Sequence, residues 1–162
     1  MKLVADTVRE MNALGAGLAR LLLDRQGAVI YLSGPLGAGK TTLARALLKT
    51  LGVQRHVHSP TYTLVEAYSI NSRSVWHLDL YRLSDPEELE FLGLRDVDPG
   101  NDICLVEWPE RGTGHLPPAD VSITLEMRDP GRGVFLQAHS EHGTSILNEL
   151  ESLDLIAHEF DN

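Results

Sequence analysis

The stretch "AVIYLSGPLGAGKTTLARALLKTLG", residues 28–52, decides the fold. Its first six residues form a short apolar run bounded by glycine on both sides, which fits a buried strand better than a helix. Residues 34–41 then read Gly-Pro-Leu-Gly-Ala-Gly-Lys-Thr and match G-x-x-x-x-G-K-[ST] at every fixed position. A leucine- and alanine-rich helix follows and stops at Gly52. Strand, glycine loop and helix are what a phosphate cradle needs. Successive backbone N–H groups curl around the anion where no side chain blocks the approach. The helix adds its unpaired N–H groups and the positive end of its dipole. Lys40 is expected to reach the β and γ phosphates of a nucleotide, and Thr41 to ligate Mg²⁺.

Working outward, residues 7–24 place Val8, Met11, Leu14, Leu18, Leu21 and Leu22 at three- and four-residue spacings, one apolar helical face. Two strands are expected around residues 62–70 and 75–81, joined by the polar turn "NSRS". "SDPEELEFLGL" has Ser84 three residues before Glu87 and Pro86 in the first turn, which predicts a capped short helix. "DICLVEW", residues 102–108, is a second buried strand, and "PERGTGHLPPAD" is loop by its glycine and proline content. "VSITLEM" and "VFLQAH" around "RDPGRG" predict another hairpin. A last helix is expected from about Thr144 to Ile156. The expectation is an α/β fold over one domain, residues 1–162.

Composition narrows the function classes. With 43% hydrophobic and 23% charged residues the 162-residue chain is globular, and no run approaches a membrane span. The N-terminus lacks the apolar core of a signal peptide, so a soluble, cytoplasmic protein is expected. The formal charge of -9 disfavours direct, nonspecific contact with nucleic acid. Of 14 basic residues only Lys2, Lys40 and Lys49 are lysines, one of them in the glycine loop. The single cysteine, Cys104, lies in an apolar run and reads as a packing residue.

Hydrolysis needs more than a phosphate loop: an acid that holds the metal and a group that orients water. Glu107 ends the run "ICLVE", where an acid must sit to emerge beside the loop at the carboxyl edge of a sheet. Asp79 shares a strand face with Val75 and His77. Either acid is equally at home at an ordinary strand end. "HSPTYT", residues 58–63, reads as a segment ordered by γ-phosphate or as a plain polar loop. Arg111, Arg128 and Arg132 come from glycine-bearing loops, within reach of phosphates or adenine. Trp108 belongs either near the nucleotide or in the core.

Four blocks, "GPLGAGKTTL", "SPTYTLVEAY", "HLDLYRLSDPEELEFLG" and "ICLVEWPERG", together resemble the TsaE family of small P-loop ATPases. They span roughly residues 28–118 in the family's order and spacing. The resemblance implies a three-layer P-loop fold, a mixed sheet of about seven strands between helices. It implies a part in making N6-threonylcarbamoyladenosine at position 37 of tRNAs that read codons beginning with A. The ATPase would act on the TsaB/TsaD complex and meet tRNA only indirectly. By resemblance, ATP and Mg²⁺ are the cofactors, Thr41 and Glu107 hold the metal, and Lys40, Asp79 and Glu107 are catalytic. Gly34 and the backbone of Gly37, Ala38, Gly39, Lys40, Thr41 and Thr42 would bind the phosphates. Val8, Glu110 and Arg132 would approach the nucleotide, and "SPTYT" would be a nucleotide-responsive switch.

Two other classes share the loop. A small-molecule kinase needs an acceptor pocket and an arginine-bearing lid, for which "RDPGRG" is the candidate. A nucleotide-gated binding module needs no turnover. A GTPase is disfavoured because no N-K-x-D run is present.

Overall fold

The computed structural model describes residues 1–54, 60, 62–153 and 155. Seven strands run in chain order: β1 (Lys2–Ala5), β2 (Ala28–Ser33), β3 (Val65–Ile70), β4 (Arg73–Asp79), β5 (Ile103–Glu107), β6 (Val121–Met127) and β7 (Arg132–Ala138). Three α-helices accompany them: α1 (Val8–Leu23), α2 (Lys40–Leu51) and α3 (Glu141–Ser152). The strands lie in one sheet ordered β1-β7-β6-β2-β5-β4-β3. Its centre is parallel, with β2 between β5 and β6 and β4 beside β5. The outer pairs β3–β4, β6–β7 and β1–β7 are antiparallel. This is the mixed seven-stranded α/β sheet that the resemblance implies.

Alternation along the central strands divides the core. Ala28, Ile30, Leu32, Ile103 and Leu105 face the main cluster, where Leu14, Leu18, Leu22, Leu43, Leu47 and Ile146 from the three α-helices are buried. Each such leucine contributes about 1.5–3 kcal/mol by leaving water. Gly15 lets α1 and α2 meet closely, because a Cβ there would stand 2.8 Å from the Ala46 Cβ. Val29, Cys104 and Val106 face the other way, against Leu83 and Leu89. That side is covered by short 3₁₀ helices at Pro86–Phe91, Leu94–Asp96 and Pro109–Gly112. Among the described residues no helix is long and apolar enough to cross a membrane.

Local chemistry moved several boundaries. The four-residue β1 carries no periodicity of its own and exists because it pairs with β7, from Lys2↔Phe135 to Ala5↔Arg132. The β3–β4 turn is tighter than "NSRS": Asn71 and Ser72 take positive φ of 48° and 65°, as a primed two-residue turn requires, and Arg73 already pairs with Ile70. The helix at Pro86 is 3₁₀ and is capped by Asp85 with Glu88, not Ser84 with Glu87. The two frames are offset by one residue, and Pro86 in the first helical position fits the Asp85 frame. The last helix begins earlier than expected. Ser140 caps it by accepting from the Gly143 N–H at 2.9 Å. Its hydroxyl donates to Asp120, whose other oxygen accepts from the Val29 N–H at 2.9 Å, tying α3 to β2. Ile156 lies outside the described residues.

Candidate functional site

β2 leads directly into the glycine loop. At Gly34 (φ 137°) a Cβ would stand 2.3 Å from the Leu125 carbonyl oxygen, so only glycine passes β6 there. Gly39 adopts φ 107° as the residue before α2, and no side chain caps that helix. The first-turn N–H groups of α2 therefore have no partner from a capping side chain, the arrangement that suits an anion.

Lys40 opens the helix and is only 4% exposed. Its Nζ donates to the carbonyls of Gly34 at 2.7 Å and Pro35 at 2.9 Å, and stands 4.0 Å from the centre of the Trp108 ring. Burial holds the ammonium below the usual lysine range, while the charges of Glu107, Glu110 and Asp79 push it back up. The lysine spans the loop, poised over the place where a phosphate would enter.

The acids reach the same place by strand register. Glu107 pairs with Leu32 of β2 on one side and Asp79 of β4 on the other, so both carboxylates emerge together at the carboxyl edge of the parallel strands. The Thr41 hydroxyl donates to Glu107 Oε2 at 2.9 Å. Asp79 Oδ1 accepts from the Tyr81 N–H at 3.1 Å. Trp108 turns the chain away from β5 in the left-handed region, φ 59°, with its N–H on the Leu32 carbonyl at 3.1 Å. The Trp108 and Tyr81 rings lie 5.0 Å apart, and the Arg111 guanidinium lies 5.4 Å from the Tyr81 ring. A cleft of about 520 Å³ is lined by Gly37, Lys40, Thr41, Asp79, Glu107 and Trp108, with Arg45 and Arg82 also on its walls.

A second hollow of about 220 Å³ lies against the same loop, lined by Thr7, Val8, Met11, Ala38, Gly131 and Arg132. Gly37, Gly39 and Thr42 line both. Arg132 donates from Nε to the Ala38 carbonyl at 3.1 Å and from Nη2 to that of Gly37 at 3.3 Å, bracing the loop from behind. Val8 stands at the start of α1, 68% exposed, beside the capping box of Thr7 and Glu10. The structure thus brings together Lys40, Thr41, Asp79 and Glu107 on one side of the loop, and Val8 and Arg132 on the other. Glu110 lines neither hollow; it sits in the 3₁₀ turn after Trp108, near enough to favour the charge of Lys40. Ser59 and Thr61 of "SPTYT" lie outside the described residues.

The donor set fits Mg²⁺. Thr41 and Glu107 offer hard oxygens 2.9 Å apart, close to the separation of neighbouring ligands about 2.1 Å from an octahedral ion. Among the described residues no group of three or more His, Cys, Asp or Glu side chains forms a self-sufficient metal cage. That suits an ion that takes one or two protein ligands and completes its shell with phosphate and water.

His77 joins the site without any motif to mark it: its Nε2 lies 2.8 Å from Glu107 Oε1, with both residues buried. The signal was present in the alternation, two residues before Asp79 on the same strand face.

Comparison with known proteins covers the same residues. The family model of the threonylcarbamoyl adenosine biosynthesis protein TsaE matches residues 5–134. The chain is 46% identical over 141 residues to the tRNA threonylcarbamoyladenosine biosynthesis protein TsaE of Haemophilus influenzae, a match that covers 85% of this chain and 89% of that protein. Against the Bacillus subtilis protein of the same name the identity is 34% over 134 residues, covering 82% and 84%. The crystal structure of Bacillus subtilis YdiB superposes with a TM-score of 0.77 at 28% identity over 95% of each chain. The matched span runs from β1 into β7 and takes in the glycine loop, both carboxylates and Arg132. The chain belongs to the TsaE family, whose role lies in the biosynthesis of threonylcarbamoyladenosine in tRNA.

Proposed function

We propose that the chain binds and hydrolyses ATP with Mg²⁺ and, in the cytoplasm, supports tRNA threonylcarbamoyladenosine formation by acting on the TsaB/TsaD complex. The observation that carries this reading is the meeting of Thr41, the second residue of a helix with no side-chain cap, with the buried Glu107 at 2.9 Å. A phosphate chain held on the loop places its terminal groups between Lys40 and the two acids. Bound Mg²⁺ would be held by Thr41 and Glu107 and would neutralise charge developing on the transferred phosphoryl group. Lys40 exchanges its loop carbonyls for β and γ oxygens. Asp79, fixed through Oδ1 by the Tyr81 N–H, orients the attacking water. Val8 and Arg132 border the hollow on the other side of the loop, where a nucleoside has room. Glu110 adds negative charge that favours the charged form of Lys40 against its burial, and "SPTYT" supplies the nucleotide-responsive segment.

The hydrolase reading is favoured over a kinase because Arg132, from the hairpin that would have to form a lid, is engaged on Gly37 and Ala38 carbonyls in the smaller hollow. The net charge of -9 favours a protein partner over naked tRNA. The test is calorimetric ATP binding with and without Mg²⁺, then phosphate release by the chain alone and with TsaB and TsaD. Tight Mg²⁺-dependent binding and slow release that rises with the partners are expected. Absence of both binding and release, with the partners present, overturns the proposal. Reconstituted tRNA modification with and without the chain tests the pathway role separately.

A further inference from the structure

His77 lies within β4 with no exposure to solvent, on the strand face of Val75 and paired in register with Leu105, both of the main core. An apolar residue of that size would fill the site without desolvating two ring nitrogens, so the imidazole needs a reason to be there. Its contacts supply one. Nε2 lies 2.8 Å from Glu107 Oε1, while Nδ1 is buried and has no partner among the described residues. Proton placement follows from that asymmetry. A proton on Nδ1 alone would bury an unpaired N–H and set two acceptors, Nε2 and Oε1, against each other. A proton on Nε2 donates to the carboxylate and leaves on Nδ1 only a lone pair. Glu107, 1% exposed, is then held at both oxygens: Oε1 by His77 and Oε2 by the Thr41 hydroxyl.

We propose that His77 is a positioning residue for the metal site: by holding Oε1 it fixes the Glu107 carboxylate so that Oε2 alone is presented toward Thr41 and Mg²⁺. This rests on the Mg²⁺-nucleotide reading above. A carboxylate released from His77 rotates about its last bond, and the site loses its preformed single oxygen. Partners one step behind a metal ligand typically set metal affinity by about ten- to a hundredfold. The imidazole touches neither nucleotide nor metal, so nucleotide binding without metal is left as it was.

The test compares His77→Gln, whose amide N–H can take the place of Nε2–H, with His77→Asn, too short to reach Oε1, and with His77→Leu. ADP affinity is measured by calorimetry in EDTA and across a Mg²⁺ series, and Mn²⁺ binding by electron paramagnetic resonance. The Asn and Leu variants should need about ten- to a hundredfold more Mg²⁺ for the same gain in ADP affinity. Their affinity in EDTA should match the wild type, and Gln should restore most of the metal response. Combining His77→Leu with Glu107→Gln should add nothing to the metal defect of Glu107→Gln alone. If the wild type binds ADP equally with and without Mg²⁺, the metal reading itself fails. If the wild type responds to Mg²⁺ and the Asn variant responds identically, the His77 assignment is overturned while that reading stands. Nitrogen-15 spectra of the unsubstituted protein need no variant to fold: an Nε2–H proton protected from exchange is expected, and an Nδ1–H tautomer with bare Nε2 overturns the proposal.

Discussion

The two hollows against the phosphate loop are built by different means. The larger is walled by side chains from β4 and β5, parallel strands in the middle of the sheet, and its acids are placed by register with β2. The smaller is walled by the start of α1 and the start of β7, an antiparallel strand toward the edge, and its contacts run largely to backbone carbonyls. In the first, the acids are carried by strands that also build the core. In the second, side chains on the rim can change while the loop keeps its shape. Charged groups placed by strand register sit at the centre of the sheet, and groups held by loop contacts sit toward its edge.

The comparison breaks most sharply at Glu107. Glu107→Gln keeps the volume and removes the charge, so Mg²⁺-dependent phosphate release should fall by about 10²–10³-fold, the cost of losing one preorganised charge-stabilising group. Single-turnover phosphate release measures it, and a fall below about threefold would move the metal role away from this residue. Lys40→Ala comes next. Charge-assisted contacts of about 1.5–3 kcal/mol correspond to a loss of about ten- to a hundredfold in ATP affinity, with the fold retained. Unchanged affinity by calorimetry would remove Lys40 from the phosphates.

On the other side of the loop the effect should be smaller and mixed. Arg132→Ala removes donors to Gly37 and Ala38, so the melting midpoint should drop by the equivalent of about 1–2 kcal/mol, with nucleotide affinity falling only severalfold. A loss as large as that of Lys40→Ala would show that the two sides are not divided as described. The smallest response is expected at Cys104, on the opposite face of β5 from Glu107. Burial, with the Asp102 charge adding to it, pushes its thiol up to about 12. At pH 8 only about one thiol in ten thousand is then ionised, so the native chain should resist a thiol reagent and react on unfolding. Rapid native labelling would contradict the packing described for that face.

What the sequence made legible follows the same division. The loop, β2 and the end of α2 at Gly52 were readable because their signals are contiguous: an apolar run, a glycine pattern, a stop. Asp79 and Glu107 were each readable as strand-end acids, but their adjacency was not, since it depends on β4 and β5 pairing in register. His77 was invisible as a participant for the same reason; its partner lies on the neighbouring strand. The strand β1 was missed because its stability comes from β7, at the far end of the chain. The Ser84 frame failed against Asp85 because both offer a hydroxyl or carboxylate three residues before a glutamate, and proline position decides between them. The smaller hollow brings Val8 and Arg132 together through the β1–β7 pairing, which no local pattern encodes.

The start of α2 has a wider consequence. A helix whose first turn is left without a side-chain cap gains from an anion settled there, so on the nucleotide reading proposed above a bound phosphate chain would add to the stability of the fold. Because α1 packs on α2, the benefit spreads into the core. Stability then depends on free ligand relative to its dissociation constant, rising as the logarithm of that ratio. On the ATP reading proposed above, resistance to unfolding and proteolysis would rise with the concentration of free nucleotide around the chain.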